Sequence, residues 1–409
     1  MFVSFFPRPK PYFISVAVWA ALVMALWYGG ARHWGMHVGL AEAPLAISAI
    51  RFVSPSFLWF YLYYAVAVGL FAAAWQAIAP HPWWRWSILG SALIILGVYM
   101  QVEVTVLLNA WRGPFFDMLQ LAVSKPHSVT EGQFYSGIAA FMGFAMVGVF
   151  LATLNAFFTS HYCFRWRTAM NDFYMSNWDR LRTIEGAAQR VQDDTMRFAM
   201  TTEDMGVSMI NSVMTLIAFL PLLVDLSVHI TALPLVGKIS HPLVVSALLW
   251  SALGTAWLAS IGIKLPGLAF LNQRTEAALR KELVYGEDDA SRATPPTVAE
   301  MFGNVRRSWY RYYFHTVYFN LGRILYLQLD AMFVYVLLTP SFVAGALTLG
   351  LWQQIATAFG EVSASFQYLV TNWPTMIDLI SIYKRLLAFE STLHEKPLDK
   401  VEHQNVETA

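Results

Sequence analysis

Acidic residues at helical spacing are the side chains of this sequence best suited to chemistry. Glu276 and Glu287 are 11 residues apart, close to three helical turns, so a helix would place both carboxylates on one face. They lie in the stretch EAALRKELVYGEDDA (276–290), where Asp288 and Asp289 follow directly. Partial burial and neighbouring carboxylates raise the pKa of a carboxyl group, so such a face would suit the binding and release of protons.

Two plainer interpretations of the same stretch stay open. Glu276 stands four residues before Arg280, which is the favourable order for an ion pair along a helix. Glu282 and Asp289 would equally suit a helix face that is simply solvated.

The rest of the chain has the composition of a membrane protein. Of its 409 residues, 57% are hydrophobic and only 13% are charged. The stretch between Lys10 and Arg32 holds 21 uncharged residues, and the stretch between Glu131 and Arg165 holds 33. At about 1.5 Å per helical residue, either could cross a hydrocarbon layer about 30 Å thick. We therefore expect an all-α polytopic membrane protein.

Hydropathy predicts about eight transmembrane helices within a single transmembrane domain over 1–390. The predicted spans are 12–31, 57–79, 86–108, 135–159, 205–225, 242–263, 309–338 and 341–365. Thr339, Pro340 and Ser341 predict a turn between the last two spans. The segments 160–204 and 264–308 are rich in helix-forming residues and are predicted to extend the spans into the cytoplasm as helices of about 40 residues. The segment 391–409 is a polar tail.

Basic residues are distributed unequally between the two sides of this topology. With a cytoplasmic N-terminus, 21 of the 27 Lys and Arg residues fall in inner segments, five fall in outer loops, and Arg323 lies within a span. The positive-inside rule therefore predicts that both termini are cytoplasmic.

Four ionisable residues of the predicted spans stand out as candidates, because a charge is costly there and a functional role is the default interpretation: Glu103, Arg323, Asp330 and Glu361. Arg323 and Asp330 are seven residues apart and share a helix face, so an ion pair between them is a structural alternative. Glu103 lies near the predicted end of its span and could instead reach the outer surface.

Several enzyme and cofactor motifs are missing from the sequence. There is no G-x-x-x-x-G-K-[ST], no H-E-x-x-H, no G-x-S-x-G and no Cys/His zinc pattern, so we expect neither an enzyme nor a metal or cofactor site. His33 and His37 share a helix face but are typical interfacial residues. The net charge of +1 argues against a nucleic-acid partner. The lipid bilayer is the one partner that composition itself predicts.

Long strings of this sequence resemble the SbmA/BacA family of bacterial peptide-antibiotic transporters. The similar strings are HYCFRWRTAMNDFYMSNWDRLRTIEGAAQRVQDDTMRFA (161–199), IKLPGLAFLNQRTEAALRKELVYGEDDASRATPPTV (263–298) and YFHTVYFNLGRILYLQ (313–328). The resemblance extends from FFPRPK near the start to SIYKRL near 386, which is nearly the whole chain.

The resemblance implies a homodimer in the bacterial inner membrane that imports peptides with the proton gradient. It implies a membrane core similar to that of type IV ABC exporters, without a nucleotide-binding domain and without an ATPase subunit. The implied substrates are antimicrobial peptides, modified peptide antibiotics and bleomycin-like glycopeptides. The resemblance implies protons as the coupling ion and no other cofactor.

The resemblance also implies which carboxylates couple transport to protons. The family's cavity glutamates match Glu203, Glu276 and Glu287. At 193 this sequence has Asp where the family has Glu, which keeps a carboxylate but shortens its reach. Asp193 is therefore a further cavity candidate. Asp288, the neighbour of Glu287, and the four ionisable residues of the spans are candidates from the residues alone.

Two functions of other classes remain open from the residues. The first is the membrane half of an ATP-driven transporter that uses a separate ATPase, with the acidic stretch as a docking helix. The second is a receptor or assembly factor that does not transport, in which the acidic stretch binds a basic partner.

Overall fold

The computed structural model describes residues 1–40, 47–184, 186–234, 237–391 and 393. Within these residues the protein is helical and contains no β-strand, as the sequence predicts. The α-helices are α1 (Pro9–Gly29), α2 (Pro55–Ile78), α3 (Ser91–Ser124), α4 (Glu131–Met175), α5 (Trp178–Leu181), α6 (Ala187–Gln189), α7 (Thr195–Leu226), α8 (Pro242–Gly262), α9 (Leu265–Asp288), α10 (Pro295–Val343), α11 (Leu349–Phe366), α12 (Tyr368–Thr371) and α13 (Trp373–Ser391). Apart from 391 and 393, the predicted tail 391–409 lies outside the described residues.

Helices of sufficient length and hydropathy to cross a membrane number seven in the described part of the chain. They are Pro9–Gly29, Pro55–Ile78, Arg85–Ser124, Glu131–Met175, Ala187–His229, Pro242–Asp288 and Pro295–Val343. The all-α polytopic membrane fold is therefore confirmed. The predicted span 341–365 corresponds to α11, which is not among the seven because Gln353, Gln354 and Glu361 lower the hydropathy of its 18 residues.

The predicted turn at 339–341 is wrong. Helix α10 is 49 residues long and continues through Pro340 to Val343, and the chain turns only at Gly345, where φ is +71°. A proline is tolerated inside a membrane helix because neighbouring groups satisfy the backbone that it frees. Separately, the neighbouring Ser341 hydroxyl accepts a hydrogen bond from the Thr231 backbone N–H at 3.0 Å, which joins this end of α10 to the segment that follows α7.

Helix α3 likewise passes its predicted end at 108. It continues to Ser124 and includes Pro114. Helix α4 has 45 residues and would reach roughly 68 Å at about 1.5 Å per residue, but it ends at Met175, well before the end of the predicted extension 160–204.

The two predicted extensions are interrupted helices. In 160–204, α4 ends at Met175 and α7 begins at Thr195, with Gly186 between them in the left-handed region at φ +76°. In 264–308, α9 and α10 form a hairpin joined at 289–294. A Cβ at Gly286 would lie 2.3 Å from the Ala293 Cβ, so glycine is what lets the loop return this close to α9.

The chain divides into two compact units, and the expected single domain stays a prediction. Unit 1 comprises 1–219, 348–354 and 378–409, and unit 2 comprises 220–347 and 355–377. Unit 1 has an aromatic core that includes Phe5, Trp166, Tyr174, Phe198 and Phe389, and a second cluster around Leu107 and Phe144. Unit 2 buries Leu243, Ala247, Leu338 and Phe359.

Candidate functional site

Glu276 lies on the face of α9 that packs against α10. Its Oε1 accepts a hydrogen bond from Trp309 Nε1 at 2.9 Å, and the side chain is half-buried. One turn earlier, the buried Asn272 amide oxygen accepts a hydrogen bond from the Ser308 hydroxyl. None of the ion pairs in the described residues joins Glu276 to Arg280, so a neutral indole N–H holds this carboxylate in place of a cation.

Glu287 lies at the C-terminal end of the same helix and is exposed, as is Asp288. The hydrogen bonds and ion pairs described for the hairpin include neither of these two carboxylates. Asp289 differs, because its Oδ1 accepts hydrogen bonds from the Ser291 hydroxyl at 2.7 Å and the Ser291 N–H at 2.9 Å. These hydrogen bonds hold the pKa of Asp289 below its usual value, so it stays ionised rather than serving as a proton carrier.

Glu282 fastens the loop of the hairpin. Its Oε2 accepts a hydrogen bond from Arg292 Nη2 at 2.7 Å, and its Oε1 accepts one from the Ala293 N–H at 3.0 Å. The acidic stretch therefore divides by role: Glu282 and Asp289 shape the loop, whereas Glu276 and Glu287 are left for other chemistry.

Glu203 is a buried carboxylate of α7 in unit 1, whereas Glu276 and Glu287 belong to unit 2. Its Oε2 accepts a hydrogen bond from the Cys163 thiol at 3.7 Å. No ion pair of the described residues includes it. Burial without a cation makes the ionised form costly, which suits a group that binds protons.

Asp193 is exposed in the π-helical turn Arg190–Asp194, and its neighbour Asp194 is the buried acid. Both oxygens of Asp194 accept hydrogen bonds from Arg385 of α13, at 2.7 and 3.1 Å. Sequence reasoning missed Asp194, because its partner is 191 positions away and no local pattern announces the pair.

Glu103 makes a structural ion pair. Its Oε2 accepts a hydrogen bond from Arg51 Nη2 at 2.8 Å, and its Oε1 accepts one from the Tyr99 hydroxyl at 3.0 Å. Both charged side chains are largely buried, and α3 continues for 21 residues beyond Glu103. A paired, enclosed carboxylate in mid-helix is not one that reaches out to the surface, and its role as a coupling candidate stays a prediction.

The other three candidates of the predicted spans, Asp330, Arg323 and Glu361, have different surroundings, and no described ion pair joins them. Asp330 Oδ1 accepts hydrogen bonds from Trp250 Nε1 at 2.7 Å and from the Ser363 hydroxyl at 3.2 Å. Arg323 is exposed, and none of the ion pairs in the described chain joins it to Asp330. Glu361 is half-buried on α11, where its backbone carbonyl accepts a hydrogen bond from the Ser365 hydroxyl.

A family model described as the SbmA/BacA-like family matches residues 80–394, which is well over half of the chain. The chain belongs to the SbmA/BacA-like family. This family is a transporter family, and the seven apolar helices agree with a membrane transport protein. The match includes Asp193, α7 and the α9–α10 hairpin, and therefore all the carboxylates that the resemblance singles out. It also includes Asp330.

More distant relatives of this SbmA/BacA-like protein are ABC transporter proteins. It is 22% identical over 75% of its length to the inner membrane ABC transporter ATP-binding protein YddA of Escherichia coli. It is 23% identical over 67% of its length to ABC transporter D family member 2, chloroplastic, of Arabidopsis thaliana. An uncharacterized ABC transporter ATP-binding protein of Synechocystis is 21% identical over 58% of this chain. The matches span 57%, 38% and 35% of those relatives' own lengths.

Proposed function

We propose that this SbmA/BacA-like protein imports peptides across the bacterial inner membrane as a homodimer driven by the proton gradient. The proposed cargo comprises antimicrobial peptides, modified peptide antibiotics and bleomycin-like glycopeptides. Family membership over 80–394 is the observation that carries this proposal. It is supported by Glu203 and Glu276, which are buried or half-buried carboxylates without a described cationic partner.

The proposed mechanism is alternating access. Protonation from the acidic side neutralises Glu203, Glu276 or Glu287 and lowers the electrostatic cost of closing the outward-facing state. Deprotonation towards the more alkaline cytoplasm resets the carrier. A membrane potential contributes about 2.3 kcal/mol per charge per 100 mV, and inverting a two-state equilibrium from 1:99 to 99:1 takes about 5.5 kcal/mol. Two protons moved through 100 mV would contribute about 4.6 kcal/mol, which is close to this requirement.

The proposed orientation places both termini in the cytoplasm, with an ABC-exporter-like membrane core. An even number of crossings is needed for this, so α11 would be the eighth crossing beside the seven apolar helices. A polar helix can cross a membrane where other protein segments or a water-filled cavity surround it.

Uptake by the purified protein is the deciding experiment. A labelled proline-rich peptide is offered to proteoliposomes with an inward-acid gradient, a negative interior and no nucleotide. The expected result is accumulation that collapses when a protonophore is added. Accumulation that does not depend on the gradient would exclude the proton-driven mechanism.

A separate ATPase subunit is the rival energy source, because the matched relatives are named as ATP-binding proteins. This rival requires that uptake appear only when ATP and a second protein are added. A receptor or assembly factor would bind the peptide to the vesicles without accumulating it. The same proteoliposomes, tested with and without ATP and the gradient, separate the three functions.

A further inference from the structure

Asp330 is a carboxylate deep in a membrane helix without a described cationic partner. It lies eight residues, or about 12 Å, before the predicted end of the span 309–338. The sequence offered Arg323 as its partner, but the structure leaves Arg323 exposed and outside every described ion pair. An acid in this position is costly when ionised unless strong donors or a proton compensate for the lost water.

Neutral donors from two other helices contact one oxygen of this half-buried acid. Trp250 of α8 and Ser363 of α11 both donate to Asp330 Oδ1. The Trp250 indole is fixed between two rings of α10: it stacks on Phe333 at 3.9 Å between centroids and on Tyr326 at 5.8 Å. Tyr326, Asp330 and Phe333 occupy one face of α10, and the rings hold the indole N–H on the carboxylate between them.

Behind the acid lies a chain of buried neutral groups. Ser363 Oγ accepts hydrogen bonds from Ser251 Oγ at 3.3 Å and from Gln367 Nε2 at 2.9 Å, and Gln367 Nε2 also donates to the Tyr326 hydroxyl at 2.6 Å. These four side chains are at most 6% exposed. Hydroxyl hydrogens rotate, so Ser363 can donate to an ionised Asp330 or accept from a protonated one while donating to Ser251.

Few charged groups face this cluster. Helix α8 contains no Asp, Glu, Lys or Arg. On α10, the titratable Tyr326 is engaged by Gln367, and Arg323 is exposed. On α11, Glu361 is two residues before Ser363, about 200° around the helix from it. No fixed positive charge among these groups holds Asp330 in its ionised form.

We propose that Asp330 is a proton-binding site of the transport cycle, in addition to the glutamates of the hairpin and α7. Asp330 takes up one proton, with no other bond made or broken, and the resulting Oδ–H donates to Ser363. Because the acid is bonded to α8 and α11, its protonation changes the hydrogen bonds that join three helices of unit 2. This inference rests on the proposed function for its place in the cycle, whereas proton binding itself can be measured without transport.

Infrared difference spectroscopy tests proton binding on the intact protein in nanodiscs. An acid-minus-alkaline spectrum of the wild type is expected to contain a carboxylic C=O band that Asp330→Asn lacks and that Ser363→Ala displaces, because that variant loses a hydrogen-bond partner of the acid. The matched control Asp225→Asn, which removes an exposed carboxylate of α7 in the same unit, should leave the band unchanged. An identical band in Asp330→Asn would overturn the proposal, whether or not the protein transports.

Transport assays place the site in the cycle. Asp330→Asn should lose gradient-driven accumulation of labelled peptide but keep exchange of labelled for unlabelled peptide, which needs no net proton movement. Asp330→Glu should recover part of the accumulation. Loss of both activities in a variant with wild-type thermal stability would make Asp330 a structural residue, and retention of both would make it irrelevant to coupling. If the wild type shows no gradient-driven uptake, the proposed function fails, and the infrared band alone decides whether Asp330 binds a proton.

Discussion

At the scale of single residues, neighbours decide which carboxylates remain available for protons. The sequence predicted Glu276 and Glu287 on one helix, and the structure places them there on α9. It could not predict that Asp289 bonds Ser291 or that Glu103 pairs with Arg51, because these partners are set by a loop and by tertiary packing. The spacing of the acids predicts which helix face they share. Their contacts with other segments decide which of them stay without a cationic partner.

Glu276→Gln and Glu287→Gln are each expected to abolish gradient-driven peptide uptake. Glutamine keeps an oxygen that can accept the Trp309 hydrogen bond, so Glu276→Gln removes the titration and preserves the hairpin. The proteoliposome assay measures the uptake. Both variants should keep wild-type expression and thermal stability.

Trp309→Phe is the structural counterpart of Glu276→Gln. It removes the hydrogen bond and keeps the carboxylate, at a cost of about 1 kcal/mol in stability. Full uptake by Glu276→Gln would leave Glu276 with a packing role only.

At the scale of helices, close packing in unit 2 depends on a small residue of α8. A Cβ at Gly254 would lie 2.0 Å from the Tyr326 ring, so α8 and α10 approach at this point because the side chain is absent. Hydropathy predicted both helices, but it carries no information about which face of one helix receives the ring of another. The interruptions after Met175 and before Pro295 could not be placed from composition either, because helix-forming residues are frequent on both sides of each break.

Gly254→Ala should destabilise the protein by about 1–3 kcal/mol, because the added methyl overpacks the contact with Tyr326. Thermal unfolding in detergent, followed by circular dichroism, measures the change. Gly303→Ala is the matched control, since Gly303 lies on α10 with open space where the Cβ would be, and it should have unchanged or slightly higher stability. Equal melting temperatures for the two variants would contradict the packing account.

Asp194 is expected to fix α13 in unit 1. Asp194→Asn weakens two hydrogen bonds from Arg385 and should cost about 2 kcal/mol in stability, because these bonds join a charged guanidinium to a buried carboxylate. The comparison is Asp378→Asn, which breaks the more exposed pair with Arg197 and should cost no more than about 1 kcal/mol. Chemical denaturation of both variants measures the two losses of stability. A larger loss in Asp378→Asn than in Asp194→Asn would contradict the assignment.

At the scale of the whole molecule, the sequence predicted the polytopic helical class and the family, both of which are confirmed. The number of crossings is the part that hydropathy does not settle, because α11 is too polar to score as a span. Homodimerisation follows from the resemblance and stays a prediction, since a single chain's hydropathy pattern does not encode its partner.

Cysteine labelling distinguishes eight crossings from seven. In a background where Cys163 is replaced by Ser, Arg8→Cys, Lys238→Cys and Lys384→Cys are introduced singly at exposed positions. With eight crossings, a membrane-impermeant maleimide added outside whole cells should label only the cysteine at 238. Labelling at 384 as well would mean that α11 does not cross and that the C-terminal helix is on the outer side.

The stacked indole of Trp250 gives unit 2 an internal optical reporter. Its N–H contacts Asp330 while its ring lies between Tyr326 and Phe333, so any rearrangement of α8 against α10 alters the electric field on this fluorophore. The difference in emission between wild type and Trp250→Phe isolates its signal from the other 15 tryptophans. Recorded by stopped flow after a pH jump, that signal would give the rate of a conformational step in real time without an attached dye.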